Sequence, residues 1–251
     1  MRIAAAIITY NEERNISRCI ESLRNVVEEI VVVDSNSSDR TVEICRSMGA
    51  KVITHPFEGH IQQKNFALQQ ITSPWILSLD ADEELSPQLI NSIVSLEEGH
   101  ADGYSMNRLT NYCGHWVRHC GWYPDTKLRL VRNGAAQWTG INPHDRLELK
   151  ENRKTGHLAG DILHYSYYTR EDHLKQIEYF SSIAARELHK HGMKSSAVLI
   201  SIKVMAQFVK SFFIRLGFLD GMTGFTISRL SAFATYRKYT KLKLLNAGRE
   251  I

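Results

Sequence analysis

Three short polar segments carry most of the side chains in this chain that could do chemistry. They read TYNEE at residues 9–13, DSNSSD at 34–39 and DADE at 80–83. Residues 9–13 contain no glycine, which excludes a dinucleotide-binding turn, and the chain has no GxxxxGK[ST] phosphate loop. Carboxylate oxygens are good ligands for Mg²⁺ and similar cations, which in turn neutralise phosphates. We therefore expect a nucleotide site in which a divalent cation, rather than a glycine-rich backbone, balances the phosphate charge.

The elements that must position these segments alternate between strand and helix over the first hundred residues. Continuous apolar runs, typical of strands covered on both faces, are found at residues 3–8, 30–33, 52–53 and 75–79. Helical spacing or helix-start signals follow each run, over about 11–23, 37–48, 60–70 and 86–94. Repeated β-α units predict a parallel sheet, in which ligands bind beyond the carboxyl ends of the strands. Each polar segment follows such an end.

The composition predicts one globular domain with an appendage. The chain has 251 residues, of which 43% are apolar and 23% charged, and this balance excludes a disordered or low-complexity protein. No export signal with a cleavage site is evident, so we expect reduced cysteines and a cytoplasmic protein. Lys203, Lys210, Arg215 and Asp220 interrupt the most hydrophobic region, and we therefore expect no transmembrane helix.

Together the three segments resemble the family 2 glycosyltransferases. The matching motifs are TYNE at 9–12, VDSNSSDRT at 33–41 and LDADE at 79–83. The resemblance implies an α/β GT-A (Rossmann-like) fold, a mostly parallel sheet flanked by helices, and transfer of a sugar from a nucleotide-sugar with Mg²⁺ or Mn²⁺ as cofactor. Three further motifs make the resemblance more specific, namely GWYPDxxxRL at 121–130, WxG at 138–140 and PHDxL at 143–147. They are similar to bacterial enzymes that add a β-linked hexose to the inner core of lipopolysaccharide or lipooligosaccharide.

The resemblance also implies roles for single residues. Asp34 would receive the base edge of a uracil-type nucleotide, and Asp80 would touch the ribose or the sugar. Asp82 and His164 would hold the metal, although His164 can equally be a strand histidine bonded to a carbonyl. Lys64, in the run QQKN at 62–65, would approach the nucleotide or else be a surface helix residue. The implied nucleotide-sugar-binding residues are Thr9, Tyr10, Asn11, Glu12, Asp34, Lys64, Asp80 and Ala81.

An inverting transfer needs one carboxylate that takes the proton of the acceptor hydroxyl. We expect Asp145 to be that base, although the related motif usually reads His-Glu and the aspartate is one methylene shorter. Asp125 is the second candidate, or else a turn residue after Pro124.

The segment 111–125 contains two cysteines and two histidines within eight residues. The spacing from Cys113 to Cys120 fits none of the usual zinc patterns, so we do not expect a zinc site. Its aromatic and arginine side chains instead suit a surface that contacts sugar and phosphate. These side chains are Trp116, Arg118, Trp122 and Tyr123.

The C-terminal region is basic. From Ser181 to the end, 12 Lys and Arg residues face 3 Asp and Glu residues. A capping box at Thr169 and Asp172 predicts a helix that presents one face made of Ile177, Phe180, Ala184 and Leu188. The apolar stretch around Lys203 and Lys210 predicts an amphipathic helix in a membrane interface, with a helix packed on protein as the alternative. No nucleic-acid recognition motif accompanies the charge.

These observations predict a catalytic domain at residues 1–168 and a helical, amphipathic, basic extension at 169–251. Within the domain, 1–100 would form the nucleotide-sugar half and 101–168 the acceptor half. We expect a metal-dependent inverting hexosyltransferase that uses UDP-glucose and a lipid-linked saccharide of the lipopolysaccharide core, peripheral on the inner face of the cytoplasmic membrane. A polyprenyl-phosphate hexosyltransferase and an inactive membrane-associated scaffold are the alternatives.

Overall fold

The protein is described by a computed structural model that covers residues 1–97, 99, 101–141 and 144–251. It consists of two compact units, each built from two stretches of chain. The sheet unit comprises Met1–Leu109 and Asp125–Tyr165, and the helical unit comprises Thr110–Pro124 and Ser166–Ile251. The sequence places the boundary at 168/169, whereas the units change at Tyr165 and the segment Thr110–Pro124 belongs to the helical unit.

Eleven strands and seven α-helices follow one another along the described residues. The strands are β1 (Ile3–Thr9), β2 (Glu29–Asp34), β3 (Lys51–Thr54), β4 (Trp75–Asp80), β5 (Glu83–Leu85), β6 (Gly103–Tyr112), β7 (His115–Val117), β8 (Asp125–Arg132), β9 (Ala136–Ile141), β10 (His144–Leu149) and β11 (Thr155–Tyr167). The helices are α1 (Ile16–Leu23), α2 (Thr41–Ser47), α3 (His60–Gln69), α4 (Pro87–Val94), α5 (Arg170–Lys190), α6 (Ala197–Val209) and α7 (Gly221–Asn246). A π-helical turn (Lys210–Ile214) and a 3₁₀ helix (Gly217–Asp220) join α6 to α7.

The main sheet has the strand order β3-β2-β1-β4-β8-β6-β11-β5, and β7 pairs with the end of β6. Strands β1 to β4 run parallel, as the β-α pattern predicts. Strand β8 is antiparallel to both β4 and β6, and β11 is antiparallel to β5. Strands β9 and β10 form a separate antiparallel pair. The parallel half therefore carries the ends that the three polar segments follow.

Both faces of the parallel half are covered, which explains why its strands are continuously apolar. One face packs on α1, whose four apolar positions are all buried, and the helical spacing of these residues predicts that result. Those positions are Ile16, Cys19, Ile20 and Leu23. The other face packs on Ala67 and Leu68 of α3. Helix α4 begins as predicted, with Pro87 in its first turn and the Ser86 hydroxyl accepting from the Leu89 amide.

The helical unit has its own core, in which the segment 110–124 packs against α5 and α7. The capping box at Thr169 and Asp172 is present, as predicted. On the face predicted for α5, Ile177 is buried and the other three residues are half-buried, whereas the fully buried positions follow a spacing of four residues. Those positions are His173, Ile177, Ser181 and Ala185. The small side chain of Ser181 lets the buried Lys241 of α7 reach it, with an Nζ to Oγ distance of 2.9 Å.

Helix α6 is the most exposed helix of this unit, with Ile200 as its buried residue. Together with the π-helical turn it forms an 18-residue stretch, Ala197–Ile214, that is long and apolar enough to cross a membrane by length and composition. Only 11% of this stretch is buried. Lys203 and Lys210 are the charged residues within this stretch, and the expectation of no transmembrane helix stays a prediction. One helix of this kind is weak evidence for a membrane span.

Candidate active site

The sheet register brings the three polar segments together at one edge. Ile8 of β1 lies opposite Asp80 of β4, and Thr9 lies opposite Asp34 of β2. Thr9 and Asp34 are buried, and the Thr9 hydroxyl has no hydrogen-bond partner within the part of the chain that the structure describes. The predicted site residues at these strand ends are therefore neighbours in the structure.

The turns after β1 and β2 are bonded to each other. Asp34 is 1% exposed, and its carboxylate accepts hydrogen bonds from the amide and hydroxyl of Ser37 at 2.9 and 2.5 Å. Asn11 has a positive φ of 53°, and its side-chain oxygen accepts from the Ser38 amide at 2.8 Å. Tyr10, in the turn after β1, is 59% exposed. The two turns form a fixed polar surface with one exposed aromatic ring, on which a nucleobase can stack.

The pKa of Glu12 reflects its burial and the negative charges at this edge of the sheet. Burial raises the pKa of Glu12 to about 7, and Asp82, Asp39 and Asp80 add to that rise while a hydrogen bond from Asn15 opposes it. Burial is the larger cause of this shift, and the negative potential of the three aspartates adds to it. A cation bound here would relieve that potential.

Asp82 and His164 lie against each other at this edge. The distance from His164 Nε2 to Asp82 Oδ2 is 3.2 Å. Strand β11 places the histidine there, since His164 lies opposite Glu83 and the Tyr165 amide donates to the Asp82 carbonyl at 3.0 Å. Burial opposes ionisation of Asp82, but His164 beside it holds the pKa of that carboxyl below its usual range. Ala81 packs into the core between the two aspartates.

This pair fits the divalent cation that the sequence predicts. It offers one carboxylate oxygen and one imidazole nitrogen, and a side chain with a depressed pKa is ionised and ready to coordinate. Among the described residues no group of three His, Cys, Asp or Glu side chains could hold a metal. Mg²⁺ is commonly bound through one or two carboxylates together with phosphate oxygens and water. The two side chains therefore suit a cation that arrives with a diphosphate.

Lys64 lies at the centre of the site. It is buried, and its ammonium group is 2.9 Å from Asp80 Oδ1 and 2.8 Å from Asp145 Oδ2. The ring centroid of Trp138 is 4.2 Å from the same nitrogen. The alternative that Lys64 is a surface lysine is therefore wrong. Lys64 connects α3 to β4 and β10 and places Asp145 beside the first aspartate of the DADE segment.

A second cation supports Asp80 from the antiparallel half of the sheet. Arg129 of β8 is buried, with its Nη2 3.3 Å from Asp80 Oδ2 and 2.7 Å from Glu83 Oε1. Burial opposes ionisation of Asp80, but Lys64 and Arg129 hold its pKa well below the usual range. Asp80 is therefore a permanent anion whose position two cations fix.

Comparisons with known proteins identify the family of this chain. Residues 5–175 match the family model described as Glycosyl transferase family 2, which is more than half of the chain. The chain belongs to this family. An uncharacterized glycosyltransferase of Rickettsia typhi is 34% identical over 256 residues, which cover 98% of this chain and 88% of the relative. The lipopolysaccharide core biosynthesis glycosyltransferase LpsC of Rhizobium meliloti is 25% identical, covering 94% and 93%. The solved structure of S. aureus TarS 1–349 is 17% identical with a TM-score of 0.48, covering 99% and 92%.

The family 2 glycosyltransferase has the GT-A fold that its motifs predict, a curled sheet flanked by helices with a helical C-terminal region. The two candidate bases differ in their surroundings. Asp125 receives two hydrogen bonds from Arg108, at 3.0 and 2.8 Å, and lies 2.9 Å from Lys127. Burial opposes ionisation of Asp125, but Arg108 and Lys127 hold its pKa below the usual range, which makes it a weak proton acceptor.

Sequence reasoning about this glycosyltransferase missed the contribution of β6 and β8. Arg108 and Arg129 both form ion pairs with the buried Glu83, and together they fix the position of the DADE segment. A signal for Arg129 exists, because it is the arginine of the GWYPDxxxRL motif. Nothing in the sequence distinguishes Arg108 from other strand arginines.

The segment 110–124 of the glycosyltransferase contributes to packing. Trp122 lies within 6 Å of the rings of Tyr112, Tyr167 and His173, in the core of the helical unit. Burial lowers the pKa of His173 to about 4, so this histidine is neutral. His119 binds Asp220, with Nδ1 2.9 Å from Oδ1. Trp122 therefore has a packing role, and its predicted contact with sugar stays a prediction. Residue 143 of the PHDxL motif lies outside the described residues.

Proposed function

We propose that this family 2 glycosyltransferase transfers a hexose, glucose from UDP-glucose, to a lipopolysaccharide core saccharide with inversion at the anomeric carbon. The observation that carries this proposal is the convergence of Asp82, His164 and Asp145 on the strand ends beside Asp80. The similarity to LpsC over nearly the whole of both chains supports the class of acceptor.

The donor site is formed by the polar surface at the ends of β1, β2 and β4. Tyr10 stacks on the base, Asp34 and Thr9 lie at its edge, and the backbone around Ala81 follows the ribose. Asp80, fixed by Lys64 and Arg129, accepts a hydrogen bond from a sugar or ribose hydroxyl. These contacts orient the anomeric carbon before the acceptor binds. Such positioning of the reacting atoms is the larger part of the catalytic task of the site.

Asp82 and His164 would hold Mg²⁺ or Mn²⁺. When bound, the cation stabilises the negative charge that develops on the departing diphosphate. Asp82 is ionised at neutral pH because His164 holds its pKa down, and the proton that His164 Nε2 directs at Asp82 must leave before that nitrogen binds the cation.

Asp145 takes the proton of the attacking hydroxyl. The hydroxyl oxygen bonds to the anomeric carbon as the bond from that carbon to the UDP oxygen breaks, and the proton moves to Asp145 Oδ. Lys64 occupies one oxygen of Asp145, leaving the other for the acceptor. Asp125 is the second candidate because Arg108 and Lys127 both pair with its carboxylate, whereas among the described residues Lys64 alone pairs with Asp145.

A polyprenyl-phosphate hexosyltransferase is the second candidate, and the exposed apolar helix α6 favours it equally, since either acceptor is anchored in lipid. The two candidates make different products, a lengthened core saccharide or a lipid-phosphate sugar.

The test pairs a panel of UDP-, GDP- and dTDP-hexoses with each acceptor, in Mn²⁺, in Mg²⁺ and with chelator. We expect UDP-glucose with a core saccharide acceptor to give a β-linked product that disappears on chelation. Transfer to polyprenyl phosphate alone would support the second candidate. Unchanged transfer with chelator would refute metal dependence, and transfer only from a GDP- or dTDP-sugar would refute the donor.

A further inference from the structure

Helix α6 and the π-helical turn after it carry a row of exposed apolar side chains that nothing in the described chain covers. These side chains recur at helical spacing and are each 38 to 71% exposed. We call them the apolar stripe, and its members are Val198, Ile202, Met205, Val209 and Phe213. Leu219 of the 3₁₀ helix and Met222 at the start of α7 are also exposed apolar side chains. A continuous exposed apolar surface of this length marks an interaction site.

The opposite side of α6 is already occupied. The rings of Phe208 and Phe212 lie 6.0 and 5.8 Å from that of Phe225 on α7. Ile200 is buried on the same helix. Helix α6 is therefore fixed to α7 by one side, and the apolar stripe is left facing outward.

The charges around the apolar stripe are of one sign. Lys203 and Lys210 are exposed and seven positions apart, so both lie on the same flank of the helix. From residue 188 to 249 the chain has eleven Lys and Arg residues and a single acidic one, Asp220, which is buried against His119. A second copy of this surface would meet it with like charges, which is unfavourable. A surface of anionic lipid is complementary to it.

The same lysines determine how the helix meets a membrane. An 18-residue helix is about 27 Å long, close to the thickness of the hydrocarbon core, so a spanning α6 would carry Lys203 and Lys210 into it. Each such lysine is costly there. The chain also turns back after Phe213, through a left-handed Leu216 and the 3₁₀ helix, into α7. A helix lying in the plane of the interface keeps its lysines at the headgroups and its contacts with α7 intact.

We propose that the apolar stripe docks in the plane of an anionic lipid surface, with Lys203 and Lys210 at the level of the lipid phosphates. The inference rests on the proposed function in one respect, that the acceptor is lipid-linked and docking brings the enzyme to it. It places the protein peripherally on the inner, cytoplasmic face of the membrane that holds the acceptor.

The experiment measures binding of the full-length protein to vesicles of phosphatidylcholine, with and without phosphatidylglycerol, by co-sedimentation. Lys203→Glu with Lys210→Glu should weaken binding to the anionic vesicles by about 30-fold or more, and added salt should do the same. Ile202→Ser with Met205→Ser should weaken binding at least about tenfold to any vesicle that the wild type binds. The matched control is Lys51→Glu with Lys150→Glu, two exposed lysines of the sheet unit, which should bind as the wild type does.

Three results would overturn the proposal. Equal losses in the control and in the stripe variants would show a general charge effect. A dimer in sedimentation equilibrium without lipid, dissolved by Ile202→Ser with Met205→Ser, would assign the stripe to a second copy. Resistance of the cell-membrane-bound protein to alkaline extraction would show that α6 spans the bilayer.

Cleavage of UDP-glucose in solution should be equal in the wild type and all variants, because the site lies in the sheet unit. If the wild type binds vesicles as expected but transfers no sugar, the proposed function fails while the docking surface stands. If transfer occurs in solution but no vesicle is bound, the docking proposal fails while the proposed function stands.

Discussion

Replacing Lys64 by methionine removes the one ammonium group that two site carboxylates share. The change keeps the length and most of the volume of the side chain, so its effect is electrostatic. Lys64 is 7% exposed and lies within 2.9 Å of both Asp80 and Asp145, whose side chains are 24% and 10% exposed. Without Lys64, both carboxylates remain at a largely buried position with less compensation.

The expected loss of stability depends on the ion pairs that remain after the substitution. Removing one partner of a buried ion pair costs about 3–5 kcal/mol, because a charge stays behind unpaired. Arg129 still faces Asp80 at 3.3 Å, so we expect the lower end of that range, about 3 kcal/mol. For a chain of this size that corresponds to a fall of ~6–12 °C in the melting temperature. Urea unfolding at pH 7, followed by circular dichroism, measures the free energy directly.

The loss should depend on pH in one direction. In the wild type the pKa of Asp80 lies well below its unfolded value, so its contribution is present above about pH 4 and is lost only as the pH falls through the folded pKa. In Lys64→Met the pKa of Asp80 rises, and protonation relieves the unpaired charge. The difference between wild type and variant should therefore be largest at pH 7 and shrink toward pH 4.

Two controls isolate the ion pair. Lys51→Met removes an exposed lysine from β3 and should leave stability nearly unchanged. Adding Asp145→Asn to Lys64→Met should recover part of the lost stability, because one of the unpaired carboxylates is gone. A loss below about 0.5 kcal/mol, or one that grows on acidification, would refute the reasoning.

Three further outcomes are expected. Asp82→Asn should lower metal-dependent transfer by ~10²-fold or more with an unchanged circular dichroism spectrum, and near-normal turnover in Mn²⁺ would exclude it as a ligand. Asp145→Asn should lower kcat by ~10²–10⁴-fold while UDP-glucose still binds in calorimetry. If Asp125→Asn shows that behaviour and Asp145→Asn does not, the two roles are exchanged. Gly160→Ala should destabilise by about 3 kcal/mol or more in urea, because the added methyl would lie 2.3 Å from the Leu89 amide at a φ of +100°, and wild-type stability would contradict this packing.

The parallel half of the fold could be predicted because its signals are local. The run Ile3–Ile8 and the helical spacing from Ile16 to Leu23 each give the element type and the buried face directly. Such signals are less decisive for α5, where Ile177 is common to two candidate faces. The structure selects the face with Ser181, which depends on Lys241, 60 residues later in the chain. Contacts between distant residues leave no period in the sequence.

The site could be predicted in part for the same reason. Asp34, Asp80 and Asp82 follow strands, and parallel strands bring their ends together. Lys64 lies on the buried side of α3, a helix whose sequence shows little amphipathic pattern, so its exposure could not be determined from spacing. Its two carboxylate partners lie 16 and 81 positions away, and the tertiary packing of the β9–β10 pair brings Asp145 back to it.

The interleaving of the two units has a consequence for synthesis on the ribosome. Tyr112, Val117 and Cys120 leave the ribosome before the sheet unit is complete, and the helix residues that cover them include Ile227 and Leu230 of α7. At ~5–20 residues per second, these apolar side chains wait several seconds for their partners. The sheet unit can assemble once Tyr165 has emerged, while the segment 110–124 stays uncovered. A chain truncated after α5 would expose that segment permanently and is expected to aggregate.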